Sequence, residues 1–312
     1  MSATKPKILV IRGGAIGDFI LTLPAVAALR RQFPQAHLEV LGYPHIARLA
    51  LAGGLVDRVQ PIEAPSLAGF FARDTVLDPD WRDYFSEFDL IVSYLYDPDE
   101  IFKANVCRCS VRQFISGPHR PGDAESVHAT QVYLKPLERL AIFDADPIPR
   151  LTLNASQPGR GQNGSTQQLA LHPGSGSERK NWPEAKWAEL IQRIRLTTDW
   201  HLLLVGGEAE GGRLRRLAGL LPPARFSLAQ SLPLVELAER LRPGSAFAGH
   251  DSGITHLAAA LGLPCLVLWA DTLEEIWRPQ GERLVILKEI TGIRDISVDK
   301  VMGELRALIQ KG

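Results

Sequence analysis

The chain has 312 residues, which is enough for two domains of ordinary size, and 45% of them are hydrophobic. Its 35 lysine and arginine residues balance its 35 aspartate and glutamate residues, so the formal net charge is zero. A dedicated nucleic-acid binder carries a strongly positive surface. The composition therefore excludes DNA and RNA as expected partners.

The three cysteines, Cys107, Cys109 and Cys265, form no disulfide framework. No charged and then apolar leader precedes the first predicted strand, and the apolar run at 257–270 is shorter than the roughly 20 residues that cross a bilayer. These features predict a cytoplasmic protein. Cys107 and Cys109 are interpreted as surface thiols, because no second pair of Cys or His residues stands at zinc spacing.

Apolar strand patterns alternate with helical patterns along the first half of the chain. The predicted strands are residues 8–12, 37–41, 58–62, 89–94 and 111–116, and the predicted helices are residues 20–33, 45–52 and 127–141. Continuous apolar strands separated by helices are typical of a parallel sheet covered by helices. The first half is therefore predicted to be an α/β domain.

The segment "NASQPGRGQNGSTQQ", residues 154–168, has the composition of a flexible connector. Beyond it the alternation restarts, with strands predicted at 169–172, 201–205, 246–248 and 264–269 and helices at 183–196, 212–220, 234–241, 253–261 and 298–308. We predict a first domain over residues 1–155, a linker over 156–167 and a second domain over 168–312, and leave open whether the last helix packs back on the first domain. Two such domains are expected to face each other across a cleft.

The first glycine-rich turn, "IRGGAIGDF", stands between a strand and a helix, where phosphate loops commonly occur. A dinucleotide fingerprint counted from Gly13 fails, because Ala15 and Asp18 occupy its second and third glycine positions. A Walker loop fails too, since Asp18 and Phe19 stand where it needs lysine and serine or threonine. Two interpretations of Asp18 remain: a helix N-cap, or a carboxylate placed close to a ligand.

Two loops of the second half suit a diphosphate. In "LHPGSGSERKNWP" the small residues Ser175 and Gly176 expose backbone N–H groups, and the cation of Lys180 stands beside them. The segment "FAGHDSGITHLAAALGLP" places four more candidates at a strand-to-helix junction: Asp251, Ser252, Gly253 and His256. The alternative for this second loop is a helix cap by Asp251 or Ser252 with a solvated His256.

Four segments together resemble glycosyltransferase family 9, the ADP-heptose:lipopolysaccharide heptosyltransferases. They are "IRGGAIGDFILTLPAVAALRRQFP", "LHPGSGSERKNWPEAKWAELI", "LLLVGGEAE" and "GHDSGITHLAAALGLPCLVLW". The resemblance runs in order over nearly the whole chain. It implies a GT-B fold, in which two Rossmann-like domains with parallel sheets carry the acceptor site on the first domain and the nucleotide-sugar site on the second.

The resemblance also implies a role for each matched residue. Asp18 matches the family's catalytic base, and Lys180 matches the lysine that holds the donor phosphates. A glutamate of "GGEAE", either Glu210 or Glu208, falls where the family contacts the nucleoside ribose. The other donor-site matches are Ser175, Gly176, Asp251, Ser252, Gly253 and His256. The acceptor-loop matches are Gly13, Gly14, Gly17 and Arg120.

The activity implied by the resemblance is inverting transfer of a heptose from ADP-heptose to an inner-core lipopolysaccharide sugar, with Asp18 as general base. Backbone N–H groups and Lys180 would stabilise the leaving diphosphate, so neither a metal nor another cofactor is expected. The alternatives are another nucleotide sugar or glycan acceptor, or a non-catalytic nucleotide-sugar binding protein. No obligate protein partner is expected, and a peripheral contact with the cytoplasmic face of the inner membrane is left open.

Two segments depart from the family pattern or invite a second interpretation. After Trp269 the family continues with Gly-Pro-Thr-x-Pro, whereas this chain has "ADTLE" at 270–274, so its base or sugar preference is expected to differ. An Asp-x-Asp pair at Asp97 and Asp99 is typical of metal sites in another glycosyltransferase fold. An ordinary acidic loop is the favoured interpretation, because the pair flanks a proline after a strand.

Two clusters of side chains bear on the acceptor. A basic stretch either attracts an anionic acceptor or forms a solvated face; its members are Lys103, Arg108, Arg112 and Arg120. An aromatic cluster either packs in the core, which is the favoured interpretation, or forms an apolar lip; its members are Phe70, Phe71, Trp81, Tyr84 and Phe85.

Overall fold

The computed structural model describes residues 5–122, 126–153, 167–208 and 210–310. The chain divides into two compact units, one formed by Met1–Ile148 with Thr152–Asn154 and the other by Pro149–Leu151 with Ala155–Gly312. Residues 149–151, predicted in the first domain, thus belong to the second unit, where the Leu151 N–H donates to the Ala260 carbonyl (2.8 Å). The predicted linker lies outside the described residues except for residue 167.

In the described part of the chain, the first unit is built on a five-stranded parallel sheet. Its strands are β1 (Lys7–Arg12), β2 (His37–Gly42), β3 (Arg58–Pro61), β4 (Leu90–Ser93) and β5 (Gln113–Ser116). Their order is β3-β2-β1-β4-β5, so β1 is central and pairs with β2 on one side and β4 on the other. These three strands are almost wholly buried, as expected for a parallel sheet with both faces covered.

Helices connect these strands. They are α1 (Ile16–Gln32), α2 (Pro44–Ala52), α3 (Pro79–Ser86), α4 (Ile101–Cys107) and α5 (Ala129–Leu134), with 3₁₀ turns at Pro65–Phe71 and Lys135–Leu140. The aromatic cluster packs mainly in the core, where Phe70 and Phe85 are fully buried, while Phe71 is 46% exposed. Cys107 is exposed but Cys109 is buried, so the prediction of two surface thiols is wrong for Cys109.

The second unit is built, within its described residues, on a six-stranded parallel sheet. Its strands are β6 (Gln168–Leu171), β7 (His201–Gly206), β8 (Phe226–Gln230), β9 (Ala246–His250), β10 (Cys265–Leu268) and β11 (Leu284–Leu287). Their order is β11-β10-β9-β6-β7-β8, which puts β9 and β6 at the centre.

The helices of the second unit cover this sheet. They are α6 (Glu184–Thr197), α7 (Gly211–Ala218), α8 (Leu234–Leu241), α9 (Gly253–Ala260), α10 (Glu274–Trp277) and α11 (Val298–Gln310). The apolar face of α11, which includes Val301 and Leu305, is buried in the core of this unit with Trp187 and Leu266. The last helix thus packs within its own unit, where the sequence left a return to the first domain open.

The sequence pattern missed strands β8 and β11 and helices α3, α4 and α10. Strands β8 and β11 are the two edges of the second sheet, and each has one fully buried residue, Ala229 and Leu287 respectively. Strand β8 (FSLAQ) mixes polar and apolar residues, and the four apolar residues of β11 (LVIL) are too short a run to be assigned from periodicity alone. Helix α1 also starts at Ile16, four residues earlier than predicted. No helix among the described residues is long and apolar enough to cross a membrane.

Candidate active site

A pocket of about 430 Å³ lies in the first unit, at the loop that follows β1. It brings together four predicted residues, Gly13, Gly14, Asp18 and Arg120. The rest of its lining is Arg12, Tyr43, Ile62, Glu63, Phe71, Tyr94, Leu95, Tyr96 and His119. In open α/β sheets ligands bind outside the carboxyl ends of the strands, and this pocket lies at the carboxyl end of the central strand.

The loop between β1 and α1 is shaped around the Asp18 carboxylate. Gly14 has a φ of 95°, and a Cβ at this position would lie 3.1 Å from Asp18 Oδ2, so conformation and space both favour glycine. Asp18 is the third residue of α1, and its Oδ2 accepts from the Ala15 N–H at 3.1 Å. The N-cap interpretation is therefore wrong in position: Ala15 is the cap, and Asp18 reaches back to it. Gly17 lies in the first helical turn.

The second carboxylate oxygen of Asp18 is differently placed. Oδ1 lies 3.7 Å from Arg12 Nη2, which is an ion-pair distance but too long for a hydrogen bond. It has no hydrogen-bond partner within the described chain. The Asp18 side chain is 29% exposed, so a ligand in the pocket can reach this oxygen.

Arg12, the last residue of β1, is buried next to Asp18, with 3% of its surface exposed. Its Nη1 donates to the Tyr94 carbonyl (3.2 Å) and to the His119 carbonyl (2.8 Å). Its Nη2 donates to the Asp18 carbonyl (3.3 Å) and to the Tyr133 hydroxyl (3.0 Å). Only Nε lacks a partner within the described chain. Sequence reasoning missed Arg12, although a charged residue at the end of an apolar strand was a usable signal.

Two tyrosines complete the surroundings of this guanidinium. The Arg12 guanidinium stacks over the Tyr133 ring at 4.6 Å, and the Tyr94 hydroxyl donates to the Tyr133 carbonyl at 2.7 Å. Burial raises the pKa of both hydroxyls, which therefore stay protonated. A Cβ at Gly117 would lie 2.7 Å from the Tyr94 ring, so the missing side chain at this position makes room for the tyrosine.

Of the predicted basic stretch, only Arg120 lines the pocket. The other three contact separate partners outside this pocket: Lys103 pairs with Glu100, Arg112 with Asp89, and Arg108 donates to the buried Asn105 side chain. The stretch is therefore not a single basic patch.

The predicted acidic turn caps a helix. The two carboxylate oxygens of Asp97 accept from the N–H groups of Phe102 (3.1 Å) and Lys103 (2.9 Å) at the start of α4. Asp99 makes a long surface ion pair with Arg73 (3.6 Å). The ordinary-loop interpretation is therefore confirmed for Asp97. Within the described residues no group of three or more His, Cys, Asp or Glu side chains is placed to hold a metal.

In the second unit, the loop after β6 carries predicted diphosphate-binding residues. Gly176 has a φ of 74°, a conformation that favours glycine. The Ser175 hydroxyl lies 2.9 Å from the Ser177 carbonyl and 2.7 Å from Asn181 Oδ1, so this hydroxyl holds the loop together. Lys180 ends the 3₁₀ turn that follows.

Lys180 contacts the other predicted loop directly. Its Nζ donates to Asp251 Oδ2 at 2.6 Å, and the Thr272 hydroxyl donates to the same oxygen at 2.6 Å. The Asp251 side chain is only 8% exposed, so the carboxylate is nearly buried with its charge balanced by Lys180. Lys180 is 31% exposed and retains two N–H donors. Thr272, held by the Trp269 indole N–H at its carbonyl (2.8 Å), lies in the departing segment, and no sequence pattern indicated its role.

The start of α9 is capped by Ser252. Its hydroxyl accepts from the Thr255 N–H at 3.4 Å, and Gly253 is the first helical residue. The alternative of a cap by Ser252 is therefore confirmed. His256 is buried, so the solvated histidine of that alternative is wrong.

Two buried histidines join these loops. His250, the last residue of β9, accepts from the Trp182 N–H at Nε2 (2.8 Å), which places its proton on Nδ1, and Nδ1 donates to the Gly174 carbonyl (3.1 Å). His172 Nδ1 lies 3.4 Å from the Ser252 hydroxyl. Burial lowers the pKa of His250 to about 4 and that of His172 to about 3, so both imidazoles are neutral near pH 7. Sequence reasoning missed both.

The structure separates the two glutamates of "GGEAE". Glu210 Oε2 accepts from the Gly207 N–H at 2.9 Å. A Cβ on Gly174 would lie 2.5 Å from the Glu210 side chain, so Glu210 packs against the loop after β6. Glu208 is exposed in the loop after β7.

Two solved structures share this architecture over almost the whole chain. The glycosyl transferase family 9 protein of Veillonella parvula has a TM-score of 0.82 at 15% identity and covers 100% of this chain and 99% of its own. The ADP-heptose lps heptosyltransferase II of E. coli has a TM-score of 0.77 at 18% identity, over 98% of this chain and 99% of its own. The two parallel-sheet units are thus those of the GT-B fold, as predicted.

Sequence comparison gives the family. The model of glycosyltransferase family 9 (heptosyltransferase) matches residues 126–302. Lipopolysaccharide heptosyltransferase 1 of Pseudomonas aeruginosa is 27% identical over 290 residues, which cover 85% of this chain and 79% of that protein. The chain belongs to glycosyltransferase family 9 and is a glycosyltransferase.

Proposed function

We propose that this enzyme transfers a heptose from ADP-heptose to a sugar of the lipopolysaccharide inner core. Family membership supports heptosyl transfer, and the names of the P. aeruginosa and E. coli relatives support this donor and acceptor. The observation that carries the proposal is the Asp18 carboxylate in the first-unit pocket, because its Oδ1 has no hydrogen-bond partner in the described chain.

Asp18 is the proposed general base. The Ala15 N–H holds Oδ2, which leaves Oδ1 as the atom that takes the proton of the acceptor hydroxyl. The acceptor oxygen then bonds to the anomeric carbon of the heptose while the bond from that carbon to the diphosphate breaks. Attack from the face opposite the diphosphate inverts the anomeric configuration.

The ADP diphosphate is assigned to the second unit. Lys180 balances the negative charge of Asp251, so this carboxylate would not repel a bound diphosphate strongly. Lys180 also has two N–H donors beyond the one given to Asp251, and these can bind phosphate oxygens. The loop of Ser175 and Gly176 and the start of α9 at Ser252 and Gly253 add backbone N–H groups, with the buried His256 in the first turns of that helix. These groups would stabilise the leaving diphosphate without a metal.

For the nucleoside we favour Glu210 over Glu208. Glu210 contacts the loop after β6 and is anchored by the Gly207 N–H, so its carboxylate is held next to the proposed diphosphate site. A fixed carboxylate suits the ribose hydroxyls, which are hydrogen-bond donors.

The acceptor is assigned to the first-unit pocket, where Arg120 supplies a cation for an inner core rich in carboxylate and phosphate. The loop glycines Gly13 and Gly14 let the acceptor approach the backbone beside Asp18. A lipid-linked acceptor would bring the enzyme to the cytoplasmic face of the inner membrane as a peripheral protein.

Another nucleotide sugar is a second candidate donor, favoured by residues 270–274. They replace the family's Gly-Pro-Thr-x-Pro, and one of them, Thr272, contacts Asp251 directly. A change in this segment therefore reaches the proposed donor site.

Titration calorimetry with ADP, UDP and GDP tests the nucleotide, and a transfer assay with ADP-heptose and heptose-free inner-core lipopolysaccharide tests the reaction. We expect tightest binding of ADP and a product whose anomeric configuration, read by NMR, is inverted. Tighter binding of UDP or GDP would select the second donor candidate. Binding of ADP without transfer to any inner-core acceptor would identify a binding protein, and retention of configuration would refute the single displacement by Asp18.

A further inference from the structure

We propose that Arg12 is a positioning residue for the transfer reaction, which fixes the Asp18 carboxylate relative to the acceptor pocket. The proposal rests on the proposed role of Asp18 as general base. Arg12 ends the central strand and is among the residues that line the pocket, yet it is only 3% exposed, so we assign it a role through other residues and not as a substrate ligand.

The guanidinium joins four segments that are far apart in the sequence. It donates to the Tyr94 carbonyl just after β4, to the His119 carbonyl in the loop after β5, to the Asp18 carbonyl in α1 and to the Tyr133 hydroxyl in α5. The second of these segments also carries Arg120, the pocket's exposed cation. The buried Arg12 side chain therefore sets the distance between Asp18, the proposed base, and the loop after β5 that carries Arg120.

Arg12 acts on Asp18 at two points. Nη2 donates to the backbone carbonyl (3.3 Å), which fixes the first turn of α1, and lies 3.7 Å from Oδ1, which restrains the carboxylate rotation. Because the interaction with Oδ1 is not a hydrogen bond, that oxygen keeps its lone pairs for the acceptor proton. A general base needs a support that fixes its orientation and leaves the proton-accepting oxygen without a hydrogen bond.

Lysine cannot reproduce this arrangement. An ammonium is a point charge, whereas the planar guanidinium reaches the two backbone carbonyls beyond β4 and β5 from one nitrogen and Asp18 and Tyr133 from the other. Arg12→Lys keeps the positive charge and much of the volume but loses the fork. It therefore separates positioning from charge.

The test is a double-variant cycle with Arg12→Lys and Asp18→Asn, assayed with ADP-heptose and heptose-free inner-core lipopolysaccharide at enzyme concentrations that keep the slow variants measurable. We expect Arg12→Lys to lower kcat about 10- to 100-fold, the scale of a misplaced catalytic group. Its ADP affinity should stay within about 2-fold, because the proposed ADP contacts are all in the second unit. In the Asp18→Asn background the same change should cost less than about 3-fold, since there is no base left to position.

Arg30→Lys is the matched control. Arg30 is also a first-unit arginine tied to two backbone carbonyls, Leu55 and Ala36, and to a carboxylate, Asp57, but it lies outside the pocket lining. It should lower the melting temperature and leave kcat unchanged. If Arg12→Lys does not fold, Tyr133→Phe is the milder variant, because it removes one Arg12 partner and should lower kcat about 3- to 10-fold with the same dependence on Asp18.

The outcomes distinguish the two proposals. Near-normal kcat in Arg12→Lys, a loss confined to acceptor KM, or equal losses with and without the Asp18→Asn change would each refute the positioning role alone. If Asp18→Asn transfers at the wild-type rate, Asp18 is not the general base, and the Arg12 proposal is then refuted as well.

Discussion

The two units have the same architecture but anchor their loops with different chemistry. In the first unit the last residue of the central strand is the charged Arg12. Its guanidinium donates four hydrogen bonds, to four different residues, and also forms an ion pair with the Asp18 carboxylate. In the second unit the last residue of the central β9 is His250, which is neutral and makes two hydrogen bonds, to Trp182 and Gly174. Each side chain joins loops at the carboxyl end of its sheet.

The difference fits the ligands proposed for the two loops. A buried guanidinium needs its charge balanced and its donors used. Asp18 balances the charge of Arg12, and four acceptors use every N–H donor except Nε. Near the proposed diphosphate site Lys180 and Asp251 balance each other, and the structural anchor adds no charge. If the diphosphate binds as proposed, a neutral anchor would leave Lys180 able to exchange part of its contact with Asp251 for phosphate. The two units thus share the strand position of the anchor and differ in its charge, as the proposed ligand of each loop would require.

The largest expected effect is on the first unit's carboxylate. Asp18→Asn keeps an oxygen that can accept from the Ala15 N–H, so the helix start, the melting temperature and ADP affinity should be retained. The transfer rate should fall about 100-fold or more, the usual scale for loss of a general base. Steady-state kinetics with calorimetry and thermal melts measures all three.

Asp78→Asn is the control for this variant, because Asp78 caps α3 by accepting from the Trp81 N–H and is outside the pocket lining. It should leave transfer unchanged. Near-normal transfer by Asp18→Asn would move the search to Glu63, the other carboxylate of the pocket lining, since both oxygens of Asp97 are occupied by α4.

The second unit's cation should show the next largest effect. Lys180→Ala removes a donor to phosphate and leaves the nearly buried Asp251 without its counter-charge, so ADP affinity should fall about 10- to 100-fold. Lys300→Ala, which breaks an ion pair with Glu289 elsewhere in the same unit, is the control and should not change ADP affinity. An unchanged dissociation constant for Lys180→Ala in calorimetry would place the diphosphate elsewhere.

The neutral anchors predict a pH dependence that the charged anchor does not. The pKa values of His250 and His172 lie at about 4 and about 3 in the folded protein, against an ordinary value of 6.5. Below pH 6.5 the unfolded chain therefore binds more protons than the folded chain. The free energy of unfolding should fall as the pH is lowered from 6.5, by up to about 1.4 kcal/mol per pH unit for each histidine.

Urea unfolding followed by tryptophan fluorescence between about pH 5 and 7 measures this slope. The signal reports mainly on the second unit, which holds every tryptophan of the sequence except Trp81. His172→Asn should make the slope shallower by one proton. If the variant and the wild type lose stability in parallel, His172 is not the group responsible.

How far the sequence predicted these sites depends on distance along the chain. The loops of Asp18, Lys180 and Asp251 are local patterns of small and charged residues at strand ends, so each was a candidate from its own segment, and the family resemblance then gave each its expected role. The anchors are not local: Arg12 meets partners 82, 107 and 121 residues away, and His250 meets Trp182 and Gly174 68 and 76 residues away. A single sequence does not show which distant residues meet, so Arg12 was interpreted only as the end of a strand.

The strands were also predicted unevenly. Buried central strands such as β1 and β6 have continuous apolar runs and were predicted within a residue or two. Strand β8 mixes polar and apolar residues and β11 is a short apolar run of four residues, and both were missed. Asp18 was placed before its helix because glycine at residues 13, 14 and 17 suggested a loop. The structure instead starts α1 at Ile16, since one glycine in a first turn is tolerated when the carboxylate of the next residue caps the helix.

The smallest expected effect tests whether the Lys180–Asp251 pair of the second unit also needs the Thr272 hydroxyl. Thr272→Val removes the hydroxyl that donates to Asp251 Oδ2, so this carboxylate should bind Lys180 more tightly and leave it less available to phosphate. ADP affinity should fall about 3- to 10-fold, and Thr272→Ser, which keeps the hydroxyl, should restore it. In the Lys180→Ala background Thr272→Val should have little further effect, because the two act through one carboxylate. Additive losses of ADP affinity in calorimetry would mean that Thr272 contacts the nucleotide directly and does not act through Asp251. The two units would then share their sheet architecture but not a charge-balanced carboxylate at the ligand.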